Sequence, residues 1–333
     1  MERSEHADAT RRPLRAAFSY LRLSLTGACN FRCSYCLPQG YRAGAKRPDM
    51  LGVAEIARLL AGFARLGVHK VRLTGGEPTL RHDLIEIIRC VAATPGIERI
   101  AMTSNGALLE QRWREWRDAG LGALNVSVDA LDPARFAAIT GADRLHGILR
   151  GIDAALAEGF AHIKLNAVLL RGLNDDQLPA FLDYVRARPL AVRFIELMRT
   201  GDNQAYFERH HYRAELLETT LLDAGWSLLA RAPDAGTARE YAHPDYAGRI
   251  GIIAPYSRDF CASCNRLRVT ARGDLRLCLF GELGIPLRPL LQSADQADAL
   301  QATLLSQLGL KAASHALERG ATGLTPHLAS IGG

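Results

Sequence analysis

Long apolar runs, an export signal and a strong charge of one sign are all missing from this sequence. No stretch of about eighteen apolar residues would suit a membrane-spanning helix, and the N-terminal segment lacks the apolar region of a signal peptide. The formal net charge of +6 is small for 333 residues, so it allows an anionic ligand without requiring nucleic acid. We expect a cytoplasmic protein that binds neither membranes nor nucleic acid.

Two common nucleotide-binding fingerprints are also missing. Gly120 and Gly122 are not followed by a third glycine at the distance that a dinucleotide-binding turn needs, and the pattern GxxxxGK[ST] occurs nowhere. The sequence therefore predicts neither that dinucleotide site nor a P-loop.

Cysteine usage points to reduced thiols. The chain has seven cysteines, an odd number, and no export signal, which argues against a disulfide framework. Cys90 lies alone in an apolar run, where a core thiol is the simplest interpretation. The other six form two groups of three, and neither group has a fourth cysteine or histidine close by.

The first group consists of Cys29, Cys33 and Cys36. On a helix these three side chains would share one face, which would make them a buried cysteine stripe. The flanking segments 26–27 and 38–40 are rich in glycine, proline and polar residues and favour a loop instead. A structural zinc site usually needs four ligands, whereas three thiolates suit an iron–sulfur cluster with one iron left open.

The second group consists of Cys261, Cys264 and Cys278. Between them, Gly273 and Asp274 predict a hairpin turn joining segments 267–270 and 275–277. Taken alone, this spacing suits a zinc ribbon about as well as an iron–sulfur cluster. Two incomplete triads in one chain favour two clusters.

From residue 20 onward, short apolar runs alternate with longer amphipathic segments. The predicted strands are 20–26, 71–74, 99–103, 124–129, 162–170 and 192–198, and the predicted helices are 53–66, 82–93, 108–119, at least one within 133–157, and 175–186. This repeated order predicts a parallel α/β sheet or barrel. Beyond it we expect a mobile connector, a helix over 212–224 and antiparallel strands near 226–229 and 250–254.

The predicted strands carry polar residues at every second position. Arg22, Arg72 and Lys164 share the polar side of their strands, so a period of two predicts a polar interior lined by cations. Three converging cations indicate a polyanionic substrate, unless individual residues form internal salt bridges with Asp129 or Glu196.

Two more arginines, Arg266 and Arg268, alternate outward on a strand beside the second cysteine group. Their planar donor groups match phosphate oxygens. A solvated edge strand is the alternative.

The motif CxxxCxxC, followed by Thr74-Gly-Gly-Glu-Pro78, resembles the radical S-adenosylmethionine (SAM) superfamily. The resemblance implies that Cys29, Cys33 and Cys36 hold a [4Fe-4S] cluster. It also implies that the open iron chelates SAM and that the GGEP segment contacts the SAM amino group.

The second triad, Cys264-Asn-Arg-Leu-Arg268 and the terminal Gly-Gly make the chain similar to the molybdenum cofactor biosynthesis protein A family, the GTP 3′,8-cyclases. This resemblance implies an α/β fold, an incomplete (β/α)6 TIM-type barrel with a C-terminal α+β region that carries a second [4Fe-4S] cluster. It divides the chain into an arm (1–17), the barrel (18–200) and the C-terminal region (201–333).

The same resemblance assigns residues to ligands. For SAM they are Tyr35, Gly76, Ser127 and Met198. For GTP they are Arg22, Arg72, Thr103, Lys164, Arg266, Leu267 and Arg268. The second cluster would take Cys261, Cys264 and Cys278, and the tail residues Gly332 and Gly333 would assist turnover in the active site.

The implied reaction converts GTP to (8S)-3′,8-cyclo-7,8-dihydroguanosine 5′-triphosphate. The resemblance further implies a low-potential electron donor of flavodoxin or ferredoxin type, a downstream cyclic pyranopterin monophosphate synthase and a homodimer. Gly27-Ala28 and Arg199 depart from the family, which often has Asp-Arg and proline there. The alternatives are a peptide-modifying radical SAM enzyme with an auxiliary cluster and a non-catalytic metal- or nucleic-acid-binding protein.

Overall fold

A computed structural model describes residues 18–42, 49–160, 162–232, 235–257, 260–261, 264–281 and 284–309, and also Leu317, Thr322 and Ala329. The predicted N-terminal arm and the residues Gly332 and Gly333 lie outside the described residues. Within the described ranges, no helix has the length and apolar character needed to cross a membrane.

Six strand and helix repeats form the barrel. The strands are β1 (Tyr20–Ser24), β2 (Lys70–Thr74), β3 (Arg99–Ser104), β4 (Ala123–Ser127), β5 (Ile163–Leu169) and β6 (Ala191–Glu196). The helices are α1 (Val53–Arg65), α2 (Leu84–Ala92), α3 (Leu109–Asp118), α4 (Pro133–Thr140), α5 (Leu145–Ala157) and α6 (Leu178–Arg186). All five neighbouring strand pairs are parallel. The predicted α/β repeat is confirmed, with element ends shifted by a few residues.

Later strands extend this sheet at both edges. They are β7 (Ser227–Leu228), β8 (Arg239–Ala242), β9 (Arg249–Ile253), β10 (Arg266–Val269), β11 (Asp274–Arg276) and β12 (Ile285–Pro286). β9 is parallel to β6, and β10 is parallel to β1. The order is β12-β11-β10-β1-β2-β3-β4-β5-β6-β9-β8-β7, and its two end strands are not paired with each other in the described chain. The barrel is therefore incomplete, as expected.

Two predictions for the segment after residue 198 need correction. The strand expected near 250–254 as antiparallel is β9, which is parallel to β6 and antiparallel only to β8, a strand that we did not predict. Its residues Ile250, Gly251 and Ile252 are all buried, as is typical of a parallel strand covered on both faces. The expected connector contains helix α7 (Gln204–His210), and the helix after it, α8, spans Ala214–Asp223.

The alternation of polar and apolar residues has the predicted structural effect. Leu21 and Leu23 are fully buried in the apolar core, and Arg22 between them lines an internal cavity. The strand register aligns Arg22 with Arg72 on one neighbour and with Arg268 on the other. Basic side chains of three adjacent strands are thus placed side by side.

The C-terminal part of the chain also packs on the outside of the barrel. Helix α9 (Ala297–Leu308) contacts α1, where a Cβ added to Gly62 would lie 2.6 Å from Leu300 Cδ2. Arg288 forms an ion pair with Glu55 of α1, at 2.8 Å. The absence of a side chain at Gly62 lets the two helices approach closely.

This packing predicts that Leu300→Ala will destabilise the fold. Leu300 is 1% exposed, and truncating a buried leucine lowers the free energy of unfolding by about 2–5 kcal/mol. Leu216→Ala is the control, because Leu216 is 56% exposed and should change it by less than about 0.5 kcal/mol. Urea unfolding of anaerobic samples with matched iron content measures both. Equal effects would show that α9 does not contribute to the core.

Candidate active site

Two adjoining cavities occupy the interior and the mouth of the barrel. The larger has a volume of about 720 Å³ and the smaller about 190 Å³. Five residues border both of them: Thr103, Asn166, Ile195, Met198 and Leu279. A molecule in one cavity would therefore be separated from a molecule in the other by little or no protein.

The first cysteine triad borders the smaller cavity. Its loop follows β1 and is held against the end of α4, because the backbone N–H groups of Arg32 and Ser34 donate to the carbonyls of Thr140 and Ile139, at 2.9 and 2.8 Å. Residues 34–36 form a turn rather than a helix. The predicted loop is confirmed, and the helical cysteine stripe is not.

The three thiols suit a cationic cluster. Burial, together with the neighbouring thiols and Asp129, raises the pKa of Cys33 well above its usual value and that of Cys36 to about 12. Three thiolates would therefore repel one another here unless a cation were bound among them. Among the described residues, no three His, Cys, Asp or Glu side chains are grouped to hold a metal ion. Because the ligands of a four-iron cluster bind different irons, they stand farther apart than those of one zinc ion.

The GGEP segment packs directly on the cluster loop. The N–H groups of Gly76 and Glu77 donate to the carbonyls of Thr26 and Ala28, both at 2.7 Å. A Cβ on Gly76 would lie 2.2 Å from the Ala28 carbonyl oxygen, so the position cannot hold a side chain without moving the loop. The glycine is thus required by this backbone contact, whether or not it also contacts SAM.

The side chain of Glu77 holds the GGEP segment against the end of β3. Its buried carboxylate accepts hydrogen bonds from the Asn105 N–H at 2.6 Å, the Ser104 hydroxyl at 2.9 Å and Thr79. These contacts tie the GGEP segment to the end of β3. The cluster loop, β2 and β3 are therefore one connected unit.

All four residues predicted to bind SAM border the smaller cavity: Tyr35, Gly76, Ser127 and Met198. The Tyr35 hydroxyl donates to Asp129 at 3.0 Å, and burial raises the pKa of Asp129 to about 6. Glu196 forms a hydrogen bond with His211 at 2.7 Å. Asp129 and Glu196 thus do not pair with the inward cations, as one alternative had allowed.

The larger cavity is strongly basic. Eleven Lys and Arg side chains line it, against one carboxylate, Glu240, among the described lining residues. The basic residues are Arg22, Lys70, Arg72, Arg99, Lys164, Arg193, Arg231, Arg239, Arg249, Arg266 and Arg268. Lys164 and Glu240 form an ion pair at 3.2 Å, so the internal salt bridge considered for the inward cations occurs at Lys164 with a different partner.

Burial and mutual repulsion disfavour the charges in this cavity. Burial, together with the neighbouring cations, lowers the pKa of Arg22 to about 9, of Arg193 to about 10 and of Lys164 to about 8. Among the described residues that line this cavity, three buried donors have no hydrogen-bond partner: Nε of Arg193, Nε of Arg239 and Nε of Arg268. A polyanion would supply both the missing acceptors and the missing negative charge.

The predicted GTP residues are brought together with one exception. Arg22, Arg72, Thr103, Lys164, Arg266 and Arg268 all line the larger cavity. Arg266 and Arg268 face this interior and not outward, because β10 adds to β1 and turns its polar side the same way. The Leu267 side chain is fully buried in the core on the opposite face, so only its backbone is available to a ligand.

The second triad, Cys261, Cys264 and Cys278, also borders the larger cavity. The hairpin predicted between Cys264 and Cys278 is confirmed, with β10 and β11 antiparallel and Gly273 at a positive φ of 93°. These thiols therefore lie at the end of the cavity nearest β10.

Several lining residues were missed from the sequence. Tyr20 and Lys70 have the same strand parity as Arg22 and Arg72, and Arg193 lies between the apolar residues Val192 and Phe194, so a consistent use of the period of two would have found all three. Glu240 offered no such signal, because β8 itself was not recognised.

Comparison with known proteins agrees with this geometry. Residues 23–185 match the radical SAM superfamily, and residues 190–317 match the molybdenum cofactor synthesis C family. A GTP 3′,8-cyclase of Stenotrophomonas maltophilia strain K279a is 66% identical over 95% of this chain and 97% of its own length. Those of Aeromonas hydrophila (96% of each chain) and Vibrio vulnificus strain CMCP6 (100% of each) are 56% and 50% identical.

Solved structures show the same fold at low sequence identity. Streptococcus suis SuiB bound to S-adenosylmethionine has a TM-score of 0.58 and 13% identity, over 88% of this chain and 70% of that one. The complex of SuiB with its precursor peptide SuiA has a TM-score of 0.56, over 88% and 69%. These similarities support the partial barrel with a C-terminal extension.

The contact between the GGEP segment and the cluster loop predicts unequal effects of two glycine substitutions. Gly76→Ala should lower the free energy of unfolding of the iron-free protein by about 1–3 kcal/mol, because the added Cβ overlaps the Ala28 carbonyl. Gly27→Ala is the matched control in the same loop, since nothing lies within 4 Å of its Cβ position. Denaturant unfolding and iron content after reconstitution measure both, and a stable Gly76→Ala variant with normal iron content would contradict this assignment.

Proposed function

The chain belongs to the GTP 3′,8-cyclase family of the radical SAM superfamily, and from this membership we propose a specific use of its two cavities. The smaller cavity would hold SAM beside the first [4Fe-4S] cluster, and the larger one would hold GTP. The observation that carries the proposal is the cation-lined cavity that shares five lining residues with the cavity of the first triad. A neutral or cationic peptide substrate would leave those cations without counter-charge.

The residues of the smaller cavity suit the cofactors of the family. Cys29, Cys33 and Cys36 would bind three irons of the cluster, and the open iron would take the amino and carboxyl groups of SAM. When bound, these cofactors supply one electron and a 5′-deoxyadenosyl radical. Around them, Asp129 holds the Tyr35 hydroxyl in place.

The larger cavity suits the substrate. The triphosphate would lie among Arg22, Arg72 and Lys164, and the guanine would lie toward Arg266 and Arg268 near the second cluster. In the proposed reaction the hydrogen atom of C3′ would pass to the 5′-deoxyadenosyl radical and a bond would form between C3′ and C8. A second electron from the external low-potential donor and one proton from solvent would then complete (8S)-3′,8-cyclo-7,8-dihydroguanosine 5′-triphosphate. This would be the first step of molybdenum cofactor biosynthesis.

The protein's own contribution is orientation and charge. Thr103 accepts a hydrogen bond from Arg72 Nη1 at 3.1 Å and also borders the SAM cavity, so a phosphate-binding group is fixed to the wall between the two ligands. Holding two reacting carbons in contact is a large part of the catalysis of such a ring closure.

The remaining assignments are part of the same proposal. They are a second [4Fe-4S] cluster on Cys261, Cys264 and Cys278, assistance by Gly332 and Gly333, and the division of the chain at residues 17 and 200. The reaction consumes electrons, which supports a flavodoxin- or ferredoxin-type donor. Its product would pass to a cyclic pyranopterin monophosphate synthase, and we propose a cytoplasmic homodimer.

The proposed activity is tested by anaerobic reconstitution and incubation with SAM, dithionite and GTP. We expect about eight irons per chain, as two four-iron clusters require, and 5′-deoxyadenosine formed together with the cyclised nucleotide only when GTP is present. Chromatography with mass spectrometry measures both products. Zinc in place of iron, or SAM cleavage that is indifferent to GTP, would refute the proposal.

The role of the second triad is tested with Cys278→Ser. We expect the iron content to fall by about half, SAM binding to be retained and the cyclised product to be lost, because the substrate cavity alone is changed. Cys90→Ser is the matched control, since Cys90 lies on α2 outside both cavities. Loss of SAM binding in Cys278→Ser, or an unchanged iron content, would count against two separate clusters.

A further inference from the structure

Tyr20 is placed in the middle of the basic cavity. It is the first residue of β1, it is 6% exposed, and it lines the cavity on the same side of the strand as Arg22. Its hydroxyl accepts a hydrogen bond from Nε of Arg72. Lys70 Nζ lies 4.9 Å from the centroid of its ring. The hydroxyl oxygen therefore occupies the kind of position beside a guanidinium that a phosphate oxygen would take.

The charges that face Tyr20 are all positive. They are Arg22 on its own strand, Lys70 and Arg72 on β2, Arg266 and Arg268 on β10, and Arg193 on β6. Glu240 is the only carboxylate among the described lining residues, and it pairs with Lys164 on the β5 side of the cavity. Beyond Arg268 lie the thiols of Cys264 and Cys278.

These surroundings change the acidity of the phenol. Burial alone would raise the pKa of Tyr20, but Arg72, Arg22, Lys70 and Arg266 outweigh burial and lower it to about 7. Near neutral pH the phenol is thus close to half ionised while the cavity contains no other anion beside it. A phenolate would act as a counter-ion for the cations that the substrate later needs.

Arg72 is held at two points. Its Nε donates to Tyr20 and its Nη1 donates to Thr103 at 3.1 Å. Both partners line the cavity, so they fix the plane of the guanidinium relative to any bound anion. Tyr20 thereby determines how Arg72 is presented to the cavity.

We propose that the Tyr20 hydroxyl positions Arg72 for the phosphates of the substrate. When a polyanion binds and replaces the Tyr20 phenolate as counter-ion, the phenolate takes up a proton from solvent. This inference rests on the proposed use of the larger cavity for a nucleoside triphosphate. Tyr20 is a positioning residue in this reaction, because it acts through Arg72 and not on the reacting carbons.

The direction of the pH effect follows from the charge change. A polyanion beside Tyr20 favours the neutral phenol, so binding is accompanied by proton uptake above about pH 7 and the affinity falls as the pH rises. Lys164, whose pKa is lowered to about 8, loses its positive charge at higher pH, so the affinity falls a second time there. The two contributions are separated by comparing the protein with a variant that lacks only the hydroxyl.

The test uses Tyr20→Phe and inorganic tripolyphosphate as the probe, with both proteins anaerobically reconstituted. Between about pH 6 and pH 8 we expect the dissociation constant of the unsubstituted protein to rise about 5- to 10-fold more than that of Tyr20→Phe, as expected for one group with a pKa near 7. Ionisation of the probe is common to both proteins and cancels. Calorimetry in two buffers of different ionisation enthalpy should show proton uptake at pH 8 that is smaller in the variant.

If Tyr20 had only a structural role, its replacement by phenylalanine would not change the number of protons taken up when tripolyphosphate binds. Tyr184→Phe is the matched control, because Tyr184 lies on α6 outside the cavity and burial keeps its pKa above the usual value. Equal pH dependence, within about 2-fold, together with equal proton uptake in the protein and Tyr20→Phe would overturn the proposal. If Tyr20→Phe folds poorly, the ultraviolet difference spectrum of the unsubstituted protein at pH 8 reports on the phenol directly: we expect tyrosinate absorbance to be lost when tripolyphosphate binds, and an unchanged tyrosinate signal would overturn the proposal.

The kinetics of GTP cyclisation provide an independent test of the role of Tyr20. At pH 6, where the phenol is neutral, we expect Tyr20→Phe to raise KM for GTP roughly 3- to 10-fold, the effect of one lost hydrogen bond to a charged group, with kcat within about 2-fold. A fall in kcat with unchanged KM would contradict positioning through Arg72. If tripolyphosphate shows the expected pH dependence but GTP is not cyclised, the proposed reaction fails while the role of Tyr20 stands.

Discussion

Repulsion among buried like charges is the constraint on which the rest of the structure depends. Arg22, Arg72 and Arg268 lie side by side on three adjacent strands, and Arg193 faces them from β6. Taking such groups out of water is costly unless counter-charges are supplied. The protein supplies few of them, so the cavity remains a place where added negative charge is strongly favoured. Electrostatics alone therefore favour an anionic ligand in this cavity.

The sheet topology makes this concentration of charge possible. Six strands of the repeat provide only part of the ring, and β9 and β10 extend it from the C-terminal part of the chain. Because both are parallel to their barrel neighbours, their polar sides face the same interior. Arg249, Arg266 and Arg268 therefore line the same cavity as Arg22 and Arg72, which come from the first two strands of the repeat. The C-terminal region is structurally part of the barrel wall.

Much of this arrangement was predictable from local patterns. The period of two in the strands predicted a polar interior with Arg22, Arg72 and Lys164, and the residues that flank the first cysteine group predicted its loop. The predicted outward orientation of Arg266 and Arg268 was wrong, because their orientation depends on the pairing of β10 with β1, which no local pattern reveals. The predicted role of Gly76, contact with SAM, was incomplete for a similar reason. Its contact with the Ala28 carbonyl joins two segments that are distant in sequence.

The residues that border both cavities are held mainly by barrel strands. Thr103, Asn166 and Ile195 belong to β3, β5 and β6, so their relative positions are fixed by strand register and not by loops. Met198 and Leu279 complete the wall from segments that follow the strands. Because these five residues border both cavities, molecules in the two cavities would lie next to each other with little or no protein between them. Arg72 is hydrogen-bonded to Thr103, one of these five residues, so the basic lining of the larger cavity is attached directly to a residue that also borders the smaller cavity. β2 and β3 therefore carry Arg72 and Thr103, and the GGEP segment ties the same two strands to the cluster loop.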